Sequence, residues 1–139
     1  MKQTILTNGK VLQGKELIET NILIEDGKIH WIGNTSFYKG EKNREIINAR
    51  GKIIVPGFID IHTHGAIGID INSATVSQLH ELSNFYATKG VTSYLPTLLT
   101  DTHETICKVL ETVAIAKDEQ ITGATILGTH MEGPFLDVN

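Results

Sequence analysis

Residues 55–65 read VPGFIDIHTHG, and this stretch decides the fold of the chain. It predicts a strand over residues 57–64 in which His62 and His64 point to the same side, because successive side chains of a strand alternate between its two faces. Asp60 falls on that face as well. Two imidazoles and a carboxylate in register, just ahead of a glycine, predict a strand that binds metal.

The part of the chain before this stretch, residues 1–54, is predicted to be an all-β domain. Its short apolar runs are separated by turn signals at Asn8-Gly9, at residues 25–28 (EDGK) and at residues 49–52 (ARGK). Asp-Gly between two apolar runs is a strong hairpin signal. The pattern predicts part of a small β-sandwich.

Residues 55–139 change to an alternation of strands and helices. Apolar residues three and four apart predict helices over residues 75–89 and from about 101 to 117, and strands are expected at 91–97 and 124–132. Strand, helix, strand order predicts parallel strands with right-handed crossovers. The fold class is therefore α/β, with the first three βα units of an incomplete TIM (β/α)8 barrel, since a closed barrel takes about 250 residues. We expect a truncated barrel; a complete small α/β domain is the alternative.

Composition excludes several functional classes. With 40% hydrophobic and 20% charged residues the chain suits a soluble globular protein, and a net charge of -4 with scattered Lys and Arg argues against nucleic acid or a membrane surface as partner. No apolar run approaches the roughly 18 residues that span a bilayer. The only cysteine, Cys107, cannot form an intrachain disulfide, which favours a cytoplasmic location. It lies near the apolar stripe of its helix and is expected to be buried.

The third predicted strand carries a second cluster, GTHMEGPF at residues 128–135. His130 and Glu132 share a face by alternation, and Glu132 comes last before Gly133-Pro134, which must end the strand. If this strand is third in a barrel, Glu132 points into the same mouth as the histidine pair. A carboxylate beside two imidazoles is a suitable set for a divalent metal such as Zn, Fe, Mn or Co. An exposed glutamate at a strand end is the alternative.

Two neighbouring residues are expected to assist the site rather than to bind the ion. Asp60 lies below the histidine pair and is expected to orient a ligand imidazole through its other ring nitrogen. His130 lies one pair deeper than Glu132, and we expect it to support a ligand or to polarise substrate. A packed core histidine remains the alternative for His130.

The stretch VPGFIDIHTHG after an N-terminal β region resembles the amidohydrolase superfamily, and two further motifs narrow the resemblance. HMEGPF at residues 130–135 and GVTSYLPT at residues 90–97 resemble signatures of the N-acetylglucosamine-6-phosphate deacetylase family. The resemblance covers essentially the whole chain. It implies a (β/α)8 barrel with a small β domain built from both chain ends, a homodimer at full length, and a small amino-sugar phosphate as substrate. The implied reaction hydrolyses the acetamide of N-acetylglucosamine 6-phosphate to glucosamine 6-phosphate and acetate.

The resemblance also implies the chemistry of the site. The matching glutamate of the family binds metal, which carries over to Glu132, and the retained histidines favour two ions over one. The family takes its general acid and further histidine ligands from later strands, so we expect these 139 residues alone to be inactive and to bind metal weakly or not at all. Two alternatives stay open: a cyclic amidase of the dihydroorotase or hydantoinase kind, and a non-catalytic fragment.

Overall fold

The computed structural model describes residues 2–34 and 44–137, and the chain divides into two compact units, Met1–Pro56 and Gly57–Asn139. The described part of the first unit consists of β1 (Gln3–Gln13), β2 (Glu16–Glu25), β3 (Lys28–Gly33), β4 (Arg44–Asn48) and β5 (Ile53–Ile54).

These strands form one sheet in the order β3-β2-β1-β4, with β5 paired to β1 beyond β4. β1 is antiparallel to β2 and parallel to both β4 and β5. The turns predicted at residues 25–28 and 49–52 are confirmed. Asp26 and Gly27 have φ of 47° and 79°, the two positive values of a tight hairpin turn. In the second turn the Lys52 N–H donates to the Ala49 carbonyl at 2.9 Å.

The expected strand break at Asn8-Gly9 is wrong. β1 runs through both residues, and its pairing with β2 shifts register between Leu6 and Gly9. Asn8 lies in the left-handed region at φ 61°, a conformation that asparagine tolerates better than most residues. The residue pair therefore makes a bulge inside a long strand. Asn-Gly is favourable in a bulge and in a turn alike, so the sequence alone does not tell the two apart.

The second unit alternates strands and helices. Its elements are β6 (Phe58–Thr63), β7 (Gly65–Ala66), β8 (Ile69–Asp70), a 3₁₀ turn (Ile71–Ser73), α1 (Val76–Thr88), β9 (Val91–Leu98), α2 (His103–Asp118), β10 (Thr125–Ile126) and β11 (His130–Met131). β9 is central, with β6 on one edge and β10 and β11 on the other, and all of these pairings are parallel. The expected mixed α/β class is therefore confirmed.

Local sequence signals set the helix boundaries. Thr75 and Gln78 form a reciprocal capping box at the start of α1, and Thr102 caps α2 by accepting from the Thr105 N–H. Gly90 follows the end of α1 at φ 82°, as the expected C-terminal glycine does. The two helices bury their apolar stripes in one core with β9 and β10, whose fully buried members include Leu79, Leu82, Tyr94, Ala116 and Ile126.

Two expectations for this unit are wrong. The third strand, expected over residues 124–132, is paired only as the short segments β10 and β11, with Gly128 between them. Cys107 is exposed. The buried side of α2 is set by Ile106, Val109 and Val113, and Cys107 lies about 100° around the helix from Ile106, beyond the edge of that stripe.

Helices α1 and α2 have 13 and 16 residues, fewer than the roughly 20 that cross a bilayer. Across residues 2–34 and 44–137, no helix combines the length and hydropathy that a membrane span requires.

Candidate metal centre

Strand β6 is distorted at the position of the histidine pair. Asp60 pairs with Tyr94 and Thr63 with Pro96, so β6 has one residue more than β9 between these two pairs. Such a bulge re-aims side chains and leaves main-chain groups that the ladder does not satisfy. Side chains take up two of them: the His62 N–H donates to Asp60 Oδ1 at 3.1 Å, and the Thr63 N–H donates to Thr97 Oγ1 at 3.0 Å.

Three side chains converge beyond the ends of β6 and β11. Nε2 of His62 and Nε2 of His64 are 3.1 Å apart, and Oε2 of Glu132 lies 3.3 Å from the first and 3.2 Å from the second. These residues are the metal-ligand cluster found within residues 2–34 and 44–137. The side chains of His62 and Glu132 remain 48% and 40% exposed, so the point on which the three atoms converge is open to solvent.

The spacing of these atoms fits a divalent ion. Tetrahedral nitrogen and oxygen donors at about 2.0–2.1 Å from a zinc ion are separated from one another by about 3.3 Å. The three separations here, 3.1, 3.2 and 3.3 Å, match that edge length. Two histidines and a glutamate also form the protein part of known catalytic zinc sites, in which the fourth position stays open.

The ring of His64 has a fixed orientation. Its Nδ1 lies 3.2 Å from the main-chain oxygen of Thr97. A carbonyl oxygen can only accept, so Nδ1 carries a proton, and in the neutral ring Nε2 then presents its lone pair toward Glu132 and His62. This is the usual way in which a second contact prepares a histidine for metal.

The position of Glu132 is set through its main chain. Its N–H donates to the Leu98 carbonyl at 2.9 Å, and its carbonyl accepts from the Thr100 hydroxyl at 2.9 Å. Both partners lie at or just after the end of β9, between the strands that carry the histidines and the glutamate. The parallel pairing therefore brings residues 62 and 132 together although they are far apart in sequence.

Asp60 and His130 lie near the cluster in different ways. Asp60 accepts a hydrogen bond from the main-chain N–H of His62. We expected Asp60 to bind the second ring nitrogen of a ligand imidazole; at His64 the Thr97 carbonyl makes that contact. His130 packs edge-on against the His62 ring with 4.8 Å between centroids, and its Nδ1 lies 3.3 Å from Thr97 Oγ1. His130 is thus beside the three converging atoms rather than among them.

A buried tyrosine supports β6 from the helix side. The Tyr86 hydroxyl lies 2.7 Å from Thr63 Oγ1. Burial raises the pKa of Tyr86, the hydrogen bond with Thr63 opposes that rise, and the nearby Asp60 carboxylate adds to it. Tyr86 therefore stays a neutral hydrogen-bonding group at neutral pH.

The loops next to the cluster are tied together by Asn72. Its side-chain oxygen accepts from the Leu99 N–H at 3.0 Å, and its amide nitrogen donates to the Leu99 carbonyl at 3.2 Å and to Asp101 Oδ2 at 3.4 Å. The pKa of Asp101 is lowered, first by the Thr102 main-chain N–H and then by Asn72. This amide joins the loop after β8 to the loop after β9.

Sequence reasoning missed Thr97 and Asn72. The one signal that the sequence offers for Thr97 is a polar residue near the end of a strand that is otherwise rich in apolar residues; the structure buries it completely. Asn72 gives no such signal, because a polar residue in a loop is ordinary.

Comparison with known proteins shows the family of the chain. Residues 53–139 match the amidohydrolase family. The N-acetylglucosamine-6-phosphate deacetylase of Vibrio furnissii is 34% identical over 128 residues, 91% of this chain and 31% of the relative, and that of Bacillus subtilis is 36% identical over 116 residues, 81% of this chain and 29% of the relative.

A solved structure of N-acetylglucosamine-6-phosphate deacetylase from Pasteurella multocida superposes with a TM-score of 0.82 at 26% identity, covering 98% of this chain and 35% of that protein. The chain thus spans about a third of the length of the relatives that it matches. The family match includes the strand with the histidine pair and the segment with Glu132. On this evidence the chain belongs to the amidohydrolase family.

Proposed function

We propose that His62, His64 and Glu132 bind one divalent metal ion. The observation that carries this proposal is the convergence of their three donor atoms within 3.1–3.3 Å of one another. The three side chains are partly exposed, and a divalent ion at their meeting point would neutralise the carboxylate and bind both imidazoles.

The ion would supply two things, a water of lowered pKa and polarisation of an amide carbonyl. The residues of this chain do the rest of the work at the site. Thr97 holds the lone pair of His64 Nε2 toward the site, and the main-chain bonds of Glu132 hold its carboxylate there. The exposed side of the cluster leaves room for a substrate to approach.

We further propose that β6, β9 and the β10–β11 segment are the first three strands of a (β/α)8 barrel. Their parallel order, with helices between them, supports this reading. The cluster lies at the carboxyl ends of these strands, which is where barrel enzymes place their active sites. Residues 1–56 would then be part of the accompanying β domain.

The proposed reaction is deacetylation of N-acetylglucosamine 6-phosphate within a protein of the family's full length. It is supported by the names of the Vibrio furnissii and Bacillus subtilis relatives and by the resemblance of the segments 90–97 and 130–135. The glutamate at position 132 argues against a cyclic amidase with a metal-bridging lysine. Residues 1–139 alone are expected to be inactive, because the resemblance places the acid that protonates the leaving amine on a late barrel strand.

A chimaera tests the reaction. Residues 1–139 replace the matching first third of the Vibrio furnissii deacetylase, and turnover of N-acetylglucosamine 6-phosphate, hydantoin and dihydroorotate is measured on metal-loaded, monodisperse protein. We expect deacetylation alone, reduced by about 100-fold or more in the Glu132→Gln version. Circular dichroism and the cobalt spectrum report separately on folding and on metal loading.

Two results would contradict the proposal. A folded, metal-loaded chimaera that hydrolyses hydantoin or dihydroorotate instead would assign a cyclic amidase. A folded, metal-loaded chimaera without activity on any of the three substrates would assign a non-catalytic role to these residues. Turnover by residues 1–139 alone would contradict the expectation that they lack the acid.

A further inference from the structure

Thr97 is a completely buried polar residue in contact with all three strands at the site. It lies in β9, between β6 with the histidine pair and β11 with His130. Its two oxygen atoms make four contacts, of which three involve His64, Thr63 or His130 and the fourth is with the Leu95 carbonyl of its own strand.

The main-chain oxygen of Thr97 fixes the tautomer of His64, as described above. The hydroxyl has the remaining three contacts: the Thr63 N–H at 3.0 Å, the Leu95 carbonyl at 3.3 Å and Nδ1 of His130 at 3.3 Å. A hydroxyl offers one proton and two lone pairs. The Thr63 N–H takes one lone pair, and the Leu95 carbonyl, which can only accept, takes the proton. The second lone pair is then left for His130, whose Nδ1 must carry a proton to use it.

This assignment is the one that satisfies all three contacts at once. If the hydroxyl proton went to His130 instead, the contact with the Leu95 carbonyl would bring two acceptors together. In a completely buried position an unmet polar contact costs more than it would in water. Both imidazoles beside Thr97 are therefore held with the proton on Nδ1 and the lone pair on Nε2.

We propose that Thr97 is a positioning residue for the metal centre: its carbonyl sets His64, and its hydroxyl sets His130 and closes the bulge of β6 at Thr63. Where the effect on the ion is concerned, the proposal rests on the metal site proposed above. The Thr63 contact matters because it holds the strand end between His62 and His64, and a buried N–H without its acceptor would favour a different local backbone.

The tautomers provide a direct test that needs no metal. In the full chain labelled with 15N-histidine, long-range 1H–15N correlation spectra at about pH 8.5, above the ordinary histidine pKa, report which ring nitrogen carries the proton. We expect the Nδ1–H form for His64 and His130. Thr97→Val removes the hydroxyl and keeps the volume and the carbonyl, so the Nδ1–H fraction should fall at His130 and persist at His64. His130→Gln assigns the resonance.

Metal affinity provides the second readout. Thr97→Val should weaken Co2+ binding by about tenfold or more, the usual size of such a loss. Thr97→Ser keeps the hydroxyl, loses a buried methyl group and should restore both the tautomer and the affinity to within about threefold. Ser83→Ala removes another completely buried hydroxyl, on the helix side of β9, and as the matched control should change Co2+ affinity by about twofold at most.

An unchanged tautomer of His130 in Thr97→Val would overturn the proposal, and so would a Thr97→Ser chain as impaired as Thr97→Val, since that pattern indicates packing alone. Failure of the wild-type chain to bind Co2+ would count against the metal site proposed above. The metal-free spectra would still decide the role of Thr97 in that case.

Discussion

The hydroxyl of Thr100 donates a hydrogen bond to the main-chain oxygen of Glu132 over 2.9 Å. Together with the bond from the Glu132 N–H to the Leu98 carbonyl, it holds the main chain of the glutamate at two points. Gly133 follows at φ 111°, and a Cβ at that position would overlap the Thr100 hydroxyl oxygen. Placement of the carboxylate therefore depends on a glycine that contributes no side chain to the site.

Gly133→Ala should displace Thr100 or Glu132 and weaken both the fold and the site. The positive φ of residue 133 and the overlap of the new Cβ with the Thr100 hydroxyl together predict a loss of about 1–3 kcal/mol in the free energy of unfolding. Co2+ binding should weaken as well. Urea denaturation and Co2+ titration measure the two effects. Gly128→Ala is the matched control, because its Cβ would meet its nearest neighbour, Leu95, at an ordinary 3.8 Å. Equal behaviour of the two variants would refute this role of Gly133.

Asn72→Ala should separate the two loops that this amide joins and should raise the pKa of Asp101 toward its ordinary value. The main-chain contact from Thr102 remains, so the rise should be partial. NMR titration of the Asp101 carboxyl carbon measures the shift, and amide exchange at Leu99, whose N–H loses its acceptor, should become faster. An unchanged pKa together with unchanged exchange would show that the amide contacts do not persist in solution.

Tyr94→Phe should destabilise the second unit in a way that depends on pH. The hydroxyl donates to the Leu79 carbonyl and contacts Ser83, and its loss should cost about 1 kcal/mol. Burial raises the pKa of Tyr94 from 10.0 to about 12. Between these values the unfolded chain ionises while the folded chain does not, so wild-type stability is complete below pH 10 and falls as the pH rises toward 12.

Unfolding free energies of wild type and Tyr94→Phe at about pH 9 and about pH 11 test this sign. The difference in unfolding free energy between the two proteins should narrow at the higher pH, because only in the wild type does ionisation of Tyr94 stabilise the unfolded chain. Some slope remains in the variant from Tyr86, whose pKa is also raised. A gap that stays constant would mean that Tyr94 ionises alike in both states.

The elements that position the site follow from local patterns in the sequence, whereas the contacts that orient it do not. Alternation predicts that His62 and His64 share a face, and strand order predicts that residue 132 lies near them. Neither rule predicts the register between β6 and β9. The extra residue in β6 brings the Thr97 hydroxyl to the Thr63 N–H and the Thr97 carbonyl to the His64 ring. Main-chain acceptors of this kind carry no residue-type signal.

The main-chain contact of Asp60 also depends on this bulge, which the sequence does not reveal. A carboxylate beneath two imidazoles is usually a partner for one of them, and the expectation assumed an undistorted strand. The bulge frees the His62 N–H, and a short acidic side chain two residues earlier is well placed to accept from it. Cys107 shows that helix periodicity has a similar limit. It follows the buried Ile106 directly, and a step of one residue, about 100° around the helix, is enough to expose its side chain.

Spectroscopic titration of the 139-residue chain with Co2+ tests the central claim most directly. We expect one weakly bound ion whose absorption spectrum indicates nitrogen and oxygen donors, with binding lost in His64→Ala and in Glu132→Gln and retained in Cys107→Ser. The cysteine variant is the necessary control because Cys107 lies 3.6 Å from His103 on α2 and offers Co2+ a competing thiolate site. Binding that survives both site variants, or that disappears with Cys107, would contradict the account.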